Sequence, residues 1–305
     1  MNFFYFLLLS IIFSQDVFNG YTLFTPYGIL NEDRYSYLID NNYNIINTWE
    51  HQCSCSPASM PYLVSGNGPG FEHSLLYYPA RADNIVINNG AGGGIVLIYN
   101  WEGDLIWNFA NNEIICNETY QAHHDIEVLP NGNFLVNLYE VIDGDEAYSM
   151  GRISLNNPIN QIWSVAIFEI EPNFETGYGS IIWEWHLWDH LIQDVNPELL
   201  NYGDISNHPE LFNINFGPGG SMGAPGLAAH ADWIHANAIA YNDQLDQIVI
   251  SFRDSNEIII IDHSTTTEEA ASHEGGISER GGDILYRWGN PPVYQRGNNN
   301  DHHHS

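Results

Sequence analysis

A short pattern recurs along this 305-residue chain: an apolar strand, a polar turn, and a second apolar strand that closes on tryptophan. The copies occupy residues 37–49, 96–107, 179–183 and 283–288 and end on Trp49, Trp107, Trp183 and Trp288; the last follows the apolar run 257–262, with a loop inserted between its two strands. Hairpins repeated at uneven intervals read as blades of a β-propeller, because the spacing is too loose for a regular solenoid. Turn residues separate the runs and little 3.6-residue periodicity is present, so the fold class is all-β. One short helix is expected at 185–192, where the apolar spacing fits a helical face. The loop from 185 to 226 carries much of the His, Pro and Gly, and loops on a rigid β scaffold are where binding and chemistry concentrate.

The charge balance narrows the partners. Against 38 acidic residues stand 7 basic ones, all arginine: Arg34, Arg81, Arg152, Arg253, Arg280, Arg287 and Arg296. Nucleic acid is excluded as a partner, since phosphate binding needs clustered cations. Residues 2–13 form an apolar run of signal-peptide length, too short to span a bilayer. The expected organisation is therefore a signal peptide at 1–15 and one propeller domain at 20–305, in a secreted or periplasmic protein. A buried first strand is the alternative for the apolar run. Cys53, Cys55 and Cys116 fit an exported protein with one disulfide, and a bridge from Cys53 or Cys55 to Cys116 is the more relaxed choice. Three free thiols are the alternative; no CxxC pair points to zinc.

Three segments concentrate reactive side chains beside strands. In the first, His123-His124-Asp125 opens a run that turns at Asn131-Gly132; the paired histidines either point into a channel or are ordinary solvated loop residues. In the second, His235 and Asn237 stand two apart, which on a strand puts them on one face. In the third, Arg253 ends the apolar strand that begins at Gln247, as either a structural partner for a carboxylate or an anion clamp. A metal site is a competing reading, because His186 and His190 are four apart with Asp189 between and His208 and His230 lie downstream.

With their flanks, these segments resemble the arylsulfate sulfotransferases. The motifs that carry the resemblance are HHDIEVLPNGN at 123–133, DWIHANAIAYN at 232–242, and the stretch from Asp246 through IDHSTTTEEA to the YRWGNPP that ends at Pro292. Supporting matches are the glycines of 91–94, the run WEWHLWDH at 183–190, and Asn201-Tyr-Gly-Asp204 followed by His208-Pro-Glu210. The resemblance implies a six-bladed β-propeller that moves a sulfuryl group from a phenolic sulfate ester to an acceptor phenol, with no cofactor and no metal. It assigns catalytic roles to His123, His124, His235 and Arg253 and substrate contacts to Asn237 and Arg253. Such transfer develops charge on the departing oxygens, so positioned cations and proton donors do most of the work, and imidazole suits the proton transfers. A further histidine, transiently sulfated, is expected some two dozen residues after the GNP segment, which lies beyond residue 305. The propeller is therefore expected to be incomplete in this chain, and the chain inactive as it stands. A non-catalytic propeller that binds anionic aromatics is the alternative function.

Overall fold

The computed structural model describes residues 18–26, 35–53, 55–65, 70–85, 87 and 92–298. The leader expected at 1–15, Arg34, and the tail histidines His302, His303 and His304 lie outside the described residues. Each apolar run pairs with its sequence neighbour, which gives antiparallel meanders. Strands β1 (Tyr21–Phe24), β2 (Tyr35–Asp40) and β3 (Ile45–Glu50) form the first sheet. The second contains β4 (Tyr62–Val64), β5 (Leu75–Arg81), β6 (Gly94–Tyr99) and β7 (Leu105–Asn108). The third contains β8 (Tyr120–Val128), β9 (Phe134–Asp143), β10 (Gln161–Pro172) and β11 (Gly179–His186). A two-residue parallel pair, β12 (Leu191–Ile192) and β13 (Phe212–Asn213), precedes the fourth: β14 (Ala236–Asn242), β15 (Gln247–Phe252), β16 (Glu257–Asp262) and β17 (Tyr286–Trp288). The four sheets are arranged as blades of an all-β propeller. The repeated tryptophans fall in the last strand of each blade, in β3, β7, β11 and β17.

Packing between blades explains the alternation of apolar side chains. Along β9, Phe134, Val136 and Leu138 enter the core shared with the second blade, whereas Leu135 enters the core shared with the fourth. Along β10, Ala166 and Phe168 face one neighbour and Val165 and Ile167 the other. A central blade thus buries both faces, so its strands are apolar at nearly every position, and each large side chain so buried contributes about 1.5–3 kcal/mol. Trp49 and Trp107 are fully enclosed, while Trp288 is 41% exposed.

Two sequence expectations are corrected. Residues 185–192 do not form a helix: β11 runs through Trp183 and Trp185 to His186, a single 3₁₀ turn follows at Leu187–Asp189, and β12 begins at Leu191. The alternation that buries Trp183 and Trp185 has a strand period and outweighs the helical spacing. The cysteine pairing also differs. Cys53 and Cys55 lie side by side, with Cα atoms 5.1 Å apart, and Cys116 is a buried free thiol. Cys116 is packed under Gly94 between the second and third blades, away from the segment that joins the first two.

Candidate functional site

The HHD motif lies at a break in β-ladder register. Ala122 pairs with Leu138 and Ile126 with Val136, so His123, His124 and Asp125 together oppose Asn137 alone. A bulge of this kind frees side chains from strict alternation and re-aims them. Asp125 then ties three blades together: its Oδ1 accepts from Ser59 Oγ and Tyr62 Oη, both at 3.0 Å, and its Oδ2 accepts from the Ile239 backbone N–H at 3.1 Å. Asn137, fully buried, donates from Nδ2 to the Ala236 carbonyl at 2.6 Å and so fixes the start of β14 against β9. Gly93 backs onto the His123 carbonyl at a distance no Cβ would allow, which accounts for the glycine run before β6.

The DWIHAN segment is irregular for a similar reason. His235 precedes β14 with φ +57°, a left-handed conformation that costs a non-glycine residue stability and concentrates at functional sites. Asn237 sits in a second bulge, between the pairs Ala236–Phe252 and Ala238–Ser251. The period-two argument that put His235 and Asn237 on one strand face therefore fails locally. They nevertheless address the same cluster: His124 Nε2–H donates to Asn237 Oδ1 at 2.9 Å, and the His235 ring meets His123 edge-on with centroids 4.6 Å apart.

His235 is anchored from below. Asp232 Oδ2 accepts from His235 Nδ1–H at 2.5 Å and from Tyr139 Oη–H at 3.1 Å. That network assigns the proton to Nδ1 and leaves the Nε2 lone pair to accept from Arg253 Nη1 at 3.2 Å. Arg253 follows β15, held by its backbone N–H to the His235 carbonyl at 3.1 Å. Its Nε–H donates to Asp254 at 2.7 Å and its Nη2 has no partner among the described residues. Burial opposes the charge on Arg253, yet Asp254 and Asp232 outweigh it and hold the guanidinium firmly protonated. His123 has the reverse balance: burial first, then His124, His235 and Arg253, push its basicity well below the ordinary imidazole range. It is a neutral ring with neither nitrogen hydrogen-bonded among the described residues. His124 is lowered too, mainly by burial, with Asn237 and Asp125 partly compensating and Arg81 adding to the depression.

The five residues singled out in sequence are thus adjacent. Sequence reasoning missed Tyr139, Asp232 and Arg81. Asp232 was visible in the DWIHAN motif, and Arg81 was one of few cations, but nothing in the sequence placed it near His124. Of the other arginines, Arg152 is buried on the carbonyls of Ser154, Ile214, Phe216 and Gly217 and lowered by burial to about 10. Arg287 grips buried Glu257 through two nitrogens, at 2.9 and 2.7 Å.

Among the described residues, two groups have the composition of a metal site. His123, His124 and His235 bring ligand atoms within 4.8 Å of one another, as do His190, His273 and Asp283. The first has the Arg253 guanidinium against it, which opposes a cation. In the second, both His190 nitrogens are engaged, with Asp283 and the Ala270 carbonyl, each at 2.8 Å. His186 pairs with Glu140 at 2.8 Å, so the His186–His190 face expected from the sequence does not form.

Fold and cluster define a β-propeller whose strand bulges and strand ends assemble imidazoles, an amide and a guanidinium around one point, a set suited to an oxyanion. The sequence profile of the Arylsulfotransferase (ASST) family matches residues 99–269, more than half of the chain, and the chain belongs to that family. No curated protein matches it. Among solved structures, a complex of KlAtg21 with the coiled-coil of AgAtg16 is 9% identical with a TM-score of 0.34, covering 76% of this chain and 48% of that one. A luciferin-regenerating enzyme is 10% identical with a TM-score of 0.26, covering 90% and 78%. The chain spans about half the length of the first of these.

Proposed function

We propose that this protein transfers a sulfuryl group from a phenolic sulfate ester to an acceptor phenol at the cluster of His123, His124, His235, Asn237 and Arg253. The observation that carries the reading is the Asp232–His235–Arg253 line, in which a carboxylate fixes the tautomer of an imidazole whose free lone pair faces a guanidinium. Family membership supports aryl sulfotransfer in general. Arg253, with Arg81 nearby, and Asn237 hold the sulfuryl oxygens, where negative charge grows in the transition state. As the donor's S–O bond breaks, its electron pair leaves with the phenolate oxygen, whose charge the Arg253 guanidinium offsets until solvent protonates it. In the second half, the acceptor phenol gives its proton to a neutral imidazole of the cluster as its oxygen bonds to sulfur and the S–N bond to the carrier histidine breaks. A histidine carries the sulfuryl group between the two halves through an S–N bond, which gives ping-pong kinetics.

The test follows nitrophenolate release from 4-nitrophenyl sulfate in the presence of an acceptor phenol, using this chain together with any sequence its gene encodes beyond Ser305. Arg253→Ala should lower kcat/KM by about 10²–10³, the loss typical of one oxyanion donor. Robust turnover by residues 1–305 alone would move the sulfated histidine into this chain, with His123 the first candidate. Aryl sulfate binding without any turnover would instead favour a propeller that only binds anionic aromatics.

A further inference from the structure

A cavity of about 340 Å3 lies beside β12, and none of its lining residues belongs to the histidine cluster described above. Trp188 and Asp189 of the 3₁₀ turn, Leu200 and Tyr202 of the loop after β12, His208 and His273 are part of its wall. The loop is stitched in place by its backbone: the Gln193 N–H donates to the Asn201 carbonyl at 3.0 Å, and the Gly203 N–H to the Gln193 carbonyl at 2.9 Å. Trp188 is held by its indole N–H on Glu146 at 3.0 Å and by an edge-on contact with Trp233. The cavity is therefore a preformed feature of the fold, of the size that takes a small organic ligand.

Its donors are spent inside the protein, whereas acceptors are left open. The Trp188 indole N–H is on Glu146, and Asn201 Nδ2 donates to the Met150 carbonyl at 2.9 Å. His208 Nδ1–H donates to Glu210 at 2.8 Å and His273 Nδ1–H to Asp283 at 2.7 Å. Each of those bonds fixes the tautomer and leaves Nε2 with a bare lone pair. The two side chains are 48% and 61% exposed, so a ligand can reach them. Asp189, also exposed, adds a carboxylate, and no arginine lines the cavity. Leu200 is fully exposed and Tyr202 about half exposed, which leaves apolar surface beside these acceptors.

We propose that this cavity binds a small arylalkyl ammonium ion: the ammonium donates to Asp189 and to the Nε2 lone pairs of His208 and His273, and the ring lies against Trp188 and Leu200. An ammonium brings three N–H donors and no acceptor, the complement of that set. The indole of Trp188 adds a cation–π attraction. An anion would meet a carboxylate and two lone pairs with no cation to offset them, and a neutral ligand gains nothing from the charge of Asp189. The site is independent of the sulfuryl-transfer reading, because its ligand carries neither a sulfate nor a phenol.

The probes are 2-phenylethylamine, a cation at neutral pH, and 2-phenylethanol, its uncharged counterpart. Binding to the 305-residue chain is read by ligand-observed NMR in about 0.15 M salt, which screens the general attraction of an acidic protein for cations. The amine should bind about tenfold more tightly than the alcohol, the value of one charge-assisted hydrogen bond. Asp189→Asn should remove that margin and leave the alcohol unchanged. Leu200→Ala and His208→Ala should weaken both probes about threefold, because the alcohol shares the apolar wall and the imidazole acceptor. All three side chains are exposed, so these replacements do not threaten folding. An amine no tighter than the alcohol overturns the inference. So does a margin that survives Asp189→Asn, which would assign the preference to the charge of the whole molecule, or displacement of the amine by 4-nitrophenyl sulfate, which would place it at the histidine cluster.

Discussion

Two arginines of this chain illustrate how burial separates an enclosed charge from an accessible one. Arg287 is almost fully enclosed, bonded through two nitrogens to Glu257, and stacked over the rings of Phe212 and Tyr294 at 5.1 and 4.5 Å. Arg253 is half-exposed, with one contact to Asp254 and one to His235. Arg287→Ala should therefore cost about 3–5 kcal/mol, because it strands a buried carboxylate, whereas Arg253→Ala should leave stability within about 0.5 kcal/mol. Urea unfolding of both variants checks this, and equal losses would contradict the division. Sequence identified Arg253 as one of two possibilities, clamp or structural partner, but could not decide between them. The contacts that bear on the choice, with the left-handed His235 and through it the carboxylate Asp232, are tertiary. The positive φ of His235 was equally invisible, since no residue type announces it.

At the level of elements, the strands were legible because alternation and terminal tryptophans report two-sided burial, whereas at 185–192 the three-residue spacing of Trp185 and Trp188 fits a helix as readily as the two-residue spacing of Trp183 and Trp185 fits a strand. The bulges at 123–125 and 237 were not legible, although they are what aims the site. A joint between elements also has a pH dependence. His263, just after β16, donates from Nδ1 to Asp246 at 2.8 Å and from Nε2 to Glu169 at 2.9 Å, linking the fourth blade to the third. Burial disfavours its charge, but the two carboxylates outweigh burial and raise its pKa above the ordinary value. Glu169 is lowered: burial opposes ionisation, and bonds from His263 and Asn133 overcome it. The His263 contribution is thus complete below about pH 6.5, the unfolded value, and is lost as pH rises through the raised folded value. The Glu169 contribution is present above its unfolded value and lost as pH falls through the depressed one. His263→Gln should cost about 2 kcal/mol near pH 6, with the deficit shrinking at alkaline pH in urea unfolding. A deficit that stays constant with pH would show that His263 acts by packing alone.

For the whole molecule the dominant quantity is a formal charge of −31, and the proposed donor is itself an anion. Most charged enzymes attract their substrates, and salt weakens that attraction. Here the long-range field repels an aryl sulfate, while the attraction from Arg253 and Arg81 acts only at contact. Raising ionic strength from about 0.01 M to about 0.15 M shortens the Debye length from about 30 Å to about 8 Å. That removes the distant repulsion first, because partly buried pairs at the site are screened much less. Affinity for 4-nitrophenyl sulfate should therefore rise by a factor of about 2–5 over this range, the reverse of ordinary steering. Neutral phenol should show no comparable change, which separates the field from any effect of salt on the fold. Isothermal titration calorimetry at four salt concentrations measures both. Affinity that falls with salt would mean that local cations govern the encounter, and the contrast between a repelling surface and an attracting site would have to be abandoned.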